Sequence, residues 1–372
     1  PPYSPPALAD YFLSGRSETL FWKGRDVTER LGIAYRSPAR VTGIDVDARL
    51  VRLADGAALA YDALLIASGS RLHAPIPGSE LPGVDDFKSL VAAESIVARV
   101  RRGQATTALI VGAGFIGMEV ALLLADLGVH VTMIGRRTWV MPRMLDPETA
   151  AIAGRVMTAR GVDLRLGIEA TGFVERDGRA GGVTLASGEV LTADLYIAAT
   201  GVKPNVAYLD GSGIGVQWGI TVDDRLRTTA PAVWAAGDVV ESPDRATGRA
   251  WVHAIFPNAV DQARVVAVNV LGGDVAYAGA ESMNSLKHLG LPIMAVGVAE
   301  APDVLRWGDG DRLRKVFLDE GRIVGFRFAG DITGGGLLHS LMNRGEDVRR
   351  FGRRVVDPAF GMADVVLPAM VL

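Results

Sequence analysis

Cysteine is missing from all 372 residues. Its absence excludes disulfides, thiolate metal sites, cysteine-ligated iron–sulfur clusters and thiol nucleophiles within these residues, and leaves redox chemistry to a bound cofactor. Long apolar runs are also lacking, because the stretches around Leu122 and Val265 are broken by charge or glycine well short of the roughly 20 residues of a membrane span. Neither sign of charge dominates: 39 Lys+Arg against 42 Asp+Glu leaves a net charge of -3, so no basic field calls for nucleic acid or anionic lipid. Tryptophan and tyrosine show no nucleic-acid stacking pattern, and His253, His288 and His339 are scattered without ligand spacing, which predicts structural histidines and no metal. There is no initiator methionine and no signal peptide, from which a fragment and a cytoplasmic location are expected.

What is present is a chain that is 49% hydrophobic and long enough for two or three domains at roughly 150 residues each. Arg40 to Gly69 alternates in short apolar segments around Asp55-Gly56, which predicts a β-meander feeding a buried strand, "ALLIAS". A second hairpin-like stretch turns at Asp177-Gly178 and Ser187-Gly188 and runs into a buried strand closing on Gly201. The two closing segments, "YDALLIASG" and "ADLYIAATG", echo one another, as two related dinucleotide-binding domains would. "VWAAGDVVE" then reads as a strand ending on Gly237-Asp238, with Asp238 ahead of a helix. "NAVDQARVVAVNVLGG" is a helix stopped by Gly272-Gly273. From Tyr277 onward, strands turning at Glu320-Gly321 precede the helix "GGLLHSLMNRGEDV" and predict a third, α+β domain.

The chemical signal is densest in "ALIVGAGFIGMEVALLLADLGVHVTMIGRR". Gly112 permits a tight turn, Gly114 lets backbone approach a pyrophosphate, and Gly117 lets helix and strand pack closely. The helix terminus that follows offers N–H groups and a positive dipole end to phosphates. An acidic residue usually ends the second strand to bind the adenosine ribose of NAD; here Gly135 stands there, followed by Arg136 and Arg137. Two arginines suit a 2′-phosphate and predict NADP(H), unless they are solvated loop charges and either nicotinamide is accepted. Asp238 can accept from ligand hydroxyls or cap backbone N–H groups, and Glu119, read in the first turn of the nucleotide helix, can simply offset its dipole.

Taken in order, "YDALLIASGSRLHAPIPG", "LIVGAGFIGMEVA", "MPRMLD", "IAATGVKPN" and "VWAAGDV" resemble the pyridine-nucleotide-disulfide oxidoreductase superfamily, with coverage from Tyr3 to Val348. The tail "FRFAGDITGGGLLHSLMNRGEDV" is most similar to the branch of NADH:rubredoxin reductases, NADH oxidases and nitrite or nitrate reductase flavin modules. The resemblance implies an α/β fold of two Rossmann-like domains, for FAD and NAD(P), plus a C-terminal α+β domain. Its boundaries are 1–103 and 225–276 for the two FAD-binding parts, 104–224 for NAD(P) and 277–372 for the last domain. It further implies that Ala67, Ser68 and Gly69 line the FAD site and that Val41 meets the adenine. Gly237 and Asp238 grip the ribityl and pyrophosphate region, and the helix from Asn258 and Ala259 faces the flavin pyrimidine edge. Gly201 joins the cofactor-binding set, Phe115 is an aromatic gate over the flavin, and Glu119 is the carboxylate beside it.

This sequence departs from that pattern in three ways. The family's own N-terminal FAD-binding GxGxxG unit is missing, so a separate chain or a further segment is expected to supply it. The redox-active cysteines are absent, and Pro5 stands where many relatives carry Arg or Lys. The resulting expectation is a flavoenzyme passing electrons from NADPH or NADH through FAD to a protein acceptor such as rubredoxin, or to an iron–sulfur or haem partner. The alternatives are a non-catalytic flavoprotein-fold subunit of a larger oxidoreductase and an NAD(P)H oxidase reducing dioxygen. A homodimer or a companion subunit fits either assembly.

Overall fold

The computed structural model describes residues 1–286 and 290–366, so His288 lies outside the described residues. The chain forms two compact units: Pro1–His73 with Val202–Glu281, and Ala74–Gly201 with Ser282 onward.

In the first unit the predicted meander is present as strands Val41–Asp45, Leu50–Leu53 and Ala58–Ala60, paired antiparallel in that order. Asp55-Gly56 makes the second turn, with Gly56 at φ +86, a conformation that a side chain would strain. Leu64–Ile66 pairs in parallel with Val233–Ala235. The sequence predicts this strand buried; instead Leu65 is 43% exposed while Ile66 is covered, because among the described residues the strand has a single neighbour. Beyond it, Ser70–Leu72 and Val202–Pro204 form an antiparallel ribbon. Ile220–Thr221, Val240–Pro243 and Ala250–Trp251 make a further small sheet. Ile44, Ile66, Ile220, Val233, Ala235 and Val266 share one apolar core.

Phe256–Val270 is the long helix of this unit. Its buried stripe is Asn258, Gln262, Val266 and Asn269, at helical spacing, and three of the four are amides. Their burial is stable because each is hydrogen-bonded to a passing loop. Asn258 exchanges two bonds with the Glu281 backbone, Gln262 accepts from the Gly237 N–H, and Asn269 bonds the Arg225 and Val275 backbone.

The second unit holds a five-stranded parallel sheet in the order Val84–Asp85, Leu195–Ala198, Thr107–Val111, His130–Gly135, Asp163–Leu166. The predicted strand–turn–helix–strand unit is its middle, with helix Phe115–Asp126 between the third and fourth strands. The predicted hairpin is also there: Asp177 and Gly178, both at positive φ, join Ala170–Arg176 to Arg179–Leu185, the conformation a two-residue hairpin turn requires. Asp303–Asp309, Arg312–Asp319, Arg322–Ala329, Ile293–Gly297 and Met283–Leu286 build the antiparallel C-terminal sheet, with helix Gly335–Asn343 packed on it. Asp146 caps helix Pro147–Ala159 and also receives Lys315 Nζ at 2.6 Å, which fastens this sheet to the nucleotide-binding half of the same unit.

Candidate functional site

The three glycines of the nucleotide motif occupy three physically different positions. Gly112 has φ +119, and a Cβ there would stand 2.6 Å from the Ala199 carbonyl carbon. A Cβ on Gly117 would overlap the Gly112 carbonyl oxygen, so helix and strand are in backbone contact at that point. Gly114, the N-cap of the helix in extended conformation, has nothing within 4 Å of its Cβ position. A tight turn, a close packing contact and an open approach to unpaired helical N–H groups are the geometry that a dinucleotide pyrophosphate needs, so these residues fit NAD(P)H. Gly201 closes the neighbouring strand at φ +147 with open space at its Cβ position.

At the end of the second strand the missing acid is sterically excluded as well as absent. A Cβ on Gly135 would sit 2.8 Å from Ala113 Cβ and 2.9 Å from Leu166 Cδ2. Arg136 is exposed, with 75% of its side chain accessible and Glu169 Oε1 4.0 Å away. Arg137 is exposed too, and its carbonyl accepts from the Gly167 N–H at 2.9 Å. Both residues directly follow Gly135 at the end of the second strand of the nucleotide motif.

Phe115 is the first helical residue, and Glu119, four positions on, shares its face. Glu119 therefore lies in the second turn, contrary to its reading as a first-turn residue, and the helix dipole no longer accounts for it because that effect fades within the first turn. Burial pushes its carboxyl up to about 7. A carboxyl group at that value exchanges protons near neutral pH, the property expected of a functional acid rather than a solvated one.

The first unit brings a second constellation together. Asp238 lies in a turn between strands Val233–Ala235 and Val240–Pro243, not ahead of a helix as its sequence context suggests. Gly237 has φ +82, its N–H donates to Gln262 Oε1 at 2.7 Å, and its Cβ position is 3.6 Å from Ala259 Cβ. That turn is thus docked on the N-terminal end of helix Phe256–Val270. Ser70 Oγ donates to Asp238 Oδ2 at 2.7 Å, which links the turn to the Ala67-Ser68-Gly69 loop. Asn205 holds the same loop from the other side: its backbone N–H donates to the Gly69 carbonyl at 2.9 Å, and its side chain to the Ser68 carbonyl at 2.9 Å. A carboxylate, a glycine-lined turn and a helix terminus in one place suit a ribityl and pyrophosphate, so this donor set fits FAD.

Not every expected residue points there. The Ser68 hydroxyl is committed to the Asn205 carbonyl and receives Tyr208 OH, and the Asn258 side chain is committed to Glu281. The Ala259 N–H returns to the Ile255 carbonyl at 3.3 Å. Val41 pairs with Leu53 in the meander, outside this bonded cluster. Ser70, Asn205 and Gln262 are positioning residues that the sequence reading missed. Ser70 lies inside "YDALLIASGSRLHAPIPG" and Asn205 ends "IAATGVKPN", whereas nothing in sequence marks Gln262. His253 Nδ1 lies 3.9 Å from Asp244 and burial lowers its pKa, and His339 Nε2 meets Asn343. Among the described residues no cluster could hold a metal ion, and no helix is long and apolar enough to cross a membrane.

A family profile described as "Pyridine nucleotide-disulphide oxidoreductase" matches residues 3–256. The NADH-dependent phenylglyoxylate dehydrogenase subunit epsilon of Aromatoleum evansii is 32% identical, over 95% of this chain and 86% of its own. Rhodocoxin reductase of Rhodococcus erythropolis is 34% identical, over 74% of this chain and 65% of its own. Among solved structures, the ferredoxin reductase for the CYP199A2 system from Rhodopseudomonas palustris superposes with a TM-score of 0.86 at 25% identity, covering 98% of this chain and 91% of that one.

Proposed function

Because the chain belongs to the pyridine nucleotide-disulphide oxidoreductase family, an FAD- and NAD(P)H-dependent group of oxidoreductases, we propose that it delivers electrons to a one-electron protein acceptor. The observation that carries this reading is the geometry of Gly112, Gly114 and Gly117, which suits the pyrophosphate of NAD(P)H, beside the Ser70–Asp238 and Gly237 turn, which suits part of an FAD site. When bound, the nicotinamide supplies a hydride and the flavin takes two electrons and gives them up singly. The chain's own residues do the rest. Gly114 and the first turn of helix Phe115–Asp126 bind the pyrophosphate of NAD(P)H through backbone N–H groups. Asp238, held by Ser70, accepts from FAD hydroxyls, and the positive end of helix Phe256–Val270 favours negative charge on the flavin. Phe115 covers the nicotinamide entrance and Glu119 holds a proton beside it. The protein acceptor is supported by the names of two relatives, a rhodocoxin reductase and a ferredoxin reductase.

Gly135 with Arg136 and Arg137 supports NADPH as the preferred coenzyme. The relative from Aromatoleum evansii is NADH-dependent by name, so coenzyme choice is settled by kinetics on this chain. That relative is also a subunit of a dehydrogenase, which favours a second arrangement in which this chain is the nicotinamide-oxidising member of a larger assembly. The test of the main reading is anaerobic titration of the flavin-loaded protein with NADPH and with NADH. Bleaching of the flavin band followed by reoxidation with an iron–sulfur protein is the expected result. A flavin band that neither coenzyme bleaches overturns it.

A further inference from the structure

Three cations stand in one row across the C-terminal sheet of the second unit. Arg306 is paired with Lys315, and Lys315 with Arg327, on adjacent antiparallel strands, so the three side chains share a face. Like charges directly opposite one another repel, and Arg327 is only 1% exposed. Burial pushes its guanidinium down to about 10. Its Nη1 donates to the Val296 and Phe326 carbonyls at 2.6 and 2.8 Å and its Nη2 to the Gly297 carbonyl at 3.0 Å, but carbonyls carry no net charge. Negative charge comes from the start of helix Pro147–Ala159. Lys315 Nζ lies 2.6 Å from Asp146 Oδ1 and 3.3 Å from Glu148 Oε2, and Arg306 Nε donates to Glu148 Oε1 at 2.7 Å. Burial alone would raise the Asp146 pKa, yet the hydrogen bonds from Lys315 and Thr149 outweigh it and hold the carboxyl below its usual value.

Asp146 ends the loop that begins at Arg136, and midway that loop is bonded to the nucleotide motif. The Met141 N–H donates at 2.7 Å to the carbonyl of Ala113, the residue between Gly112 and Gly114. Met141 is buried and has φ +51, a conformation that a side chain adopts only where its surroundings impose it. Its carbonyl receives the Met144 and Leu145 N–H groups at 2.9 Å, one residue short of Asp146. A continuous path therefore runs from Lys315 through the Asp146 carboxylate and one tight turn to the backbone of the glycine motif. The same helix makes a second tie to the sheet, Arg155 to Asp311 at 2.6 Å, but both of those side chains are exposed and neither adjoins the loop. Exposed pairs of that kind contribute little, whereas a buried carboxylate that loses its partner is costly.

We propose that Lys315 is a positioning residue for the nicotinamide coenzyme: by holding Asp146 it fixes the 136–146 loop and, through Met141, the Gly112-Ala113-Gly114 turn. A residue of the C-terminal sheet then sets coenzyme affinity without touching the coenzyme. The proposal rests on the oxidoreductase reading above. The test uses the flavin-loaded full chain, with Kd for NADP+ and NAD+ from isothermal titration calorimetry, FAD content from absorbance and Tm from calorimetry. Lys315→Met is expected to raise Kd for the tighter-binding coenzyme about tenfold with FAD content unchanged, and to lower Tm because Asp146 is left buried without its partner. Lys315→Met combined with Asp146→Asn removes that charge and keeps a helix cap, so Tm should recover while Kd stays raised. A merely structural role would restore both. Arg155→Ala, which breaks only the exposed pair, should leave Kd within about twofold. Should Lys315→Met fail to fold, the double variant decides alone. A Kd within about twofold of the unaltered chain in the Lys315 variants, or one that follows Tm across the set, overturns the proposal. Failure of the unaltered chain to bind either coenzyme overturns the oxidoreductase reading instead.

Discussion

Asn205 and Ser68 hold one another at both ends: the Asn205 side-chain amide donates to the Ser68 carbonyl at 2.9 Å, and the Ser68 hydroxyl donates to the Asn205 carbonyl at 2.9 Å. This pair fixes the Ala67–Gly69 loop, proposed above to line the FAD site, although Ser68 itself spends its hydroxyl on the pairing. Asn205→Ala removes one of these bonds and leaves the Gly69 bond from its backbone intact. At about 1 kcal/mol for a bond of this kind, FAD affinity is expected to fall several-fold with the fold retained. Flavin absorbance per protein after gel filtration, beside far-UV circular dichroism, checks it. Full occupancy at limiting FAD would show the pairing to be incidental.

Asp238 is expected to carry a larger share of FAD binding. Its carboxylate receives Ser70, and Asp238→Ala should lower FAD occupancy at a cost of about 1.5–3 kcal/mol, the range for a hydrogen bond to a charged group. Asp238→Asn keeps the acceptor oxygen without the charge and should fall between the two. Titration of apoprotein with FAD, followed by flavin fluorescence, ranks the three.

The sequence made the nucleotide-binding half legible because its information is local: Gly112, Gly114 and Gly117 each need no side chain for a reason that their own backbone states. It made the hairpin turns legible for the same reason, since Asp177-Gly178 and Glu320-Gly321 both adopt positive φ. The FAD half was less readable. Ser70 reaches Asp238 across 168 positions and Gln262 reaches Gly237 across 25, and no periodicity announces such pairings. Asp238 was misread as preceding a helix because Gly-Asp after an apolar strand is equally compatible with a turn into another strand. Leu65 looked buried because three apolar residues in a row carry no sign of how many neighbours the strand will have.

The two helix glycines should respond oppositely to one methyl group. Gly117→Ala forces a Cβ onto the Gly112 carbonyl and must separate helix from strand, at a cost of about 1–3 kcal/mol or more and a matching loss of Tm. Gly114→Ala meets no protein atom within 4 Å, so Tm should hold while KM for NAD(P)H rises, because the methyl group occupies the space of the pyrophosphate. Differential scanning calorimetry with steady-state kinetics separates them. Equal Tm losses would remove the distinction between packing and binding glycine.

The proposed preference for NADPH rests on Gly135 and the two arginines after it. Replacing Arg136 and Arg137 with neutral residues should raise KM for NADPH far more than KM for NADH, by a few kcal/mol of selectivity for charge-assisted pairs. Glu169, 4.0 Å from Arg136, competes with a 2′-phosphate for that guanidinium, so Glu169→Gln should shift preference further toward NADPH. Identical kinetics with both coenzymes in the unaltered protein would mean that the arginines are only solvated.

Glu119 ties stability to pH. Its carboxyl is raised from an unfolded value of 4.5 to about 7 by burial, so the folded state prefers it protonated. Below about pH 4.5 the group is neutral in both states and the folded protein bears no penalty. Between about pH 4.5 and 7 the unfolded chain ionises while the folded one resists, and above 7 both are ionised and the loss is complete. Stability is therefore lost across that window, by up to about 3 kcal/mol for 2.5 pKa steps at 1.36 kcal/mol each. Glu119→Gln cannot ionise and should keep its stability between pH 5 and pH 8, relative to the loss in the unaltered protein. Urea unfolding of both proteins at the two pH values gives the difference directly. Parallel losses would place the carboxyl in contact with water and remove the argument that it holds a proton beside the nicotinamide. A selective loss, together with a change in the pH profile of hydride transfer in Glu119→Gln, would tie the same buried proton to the reaction.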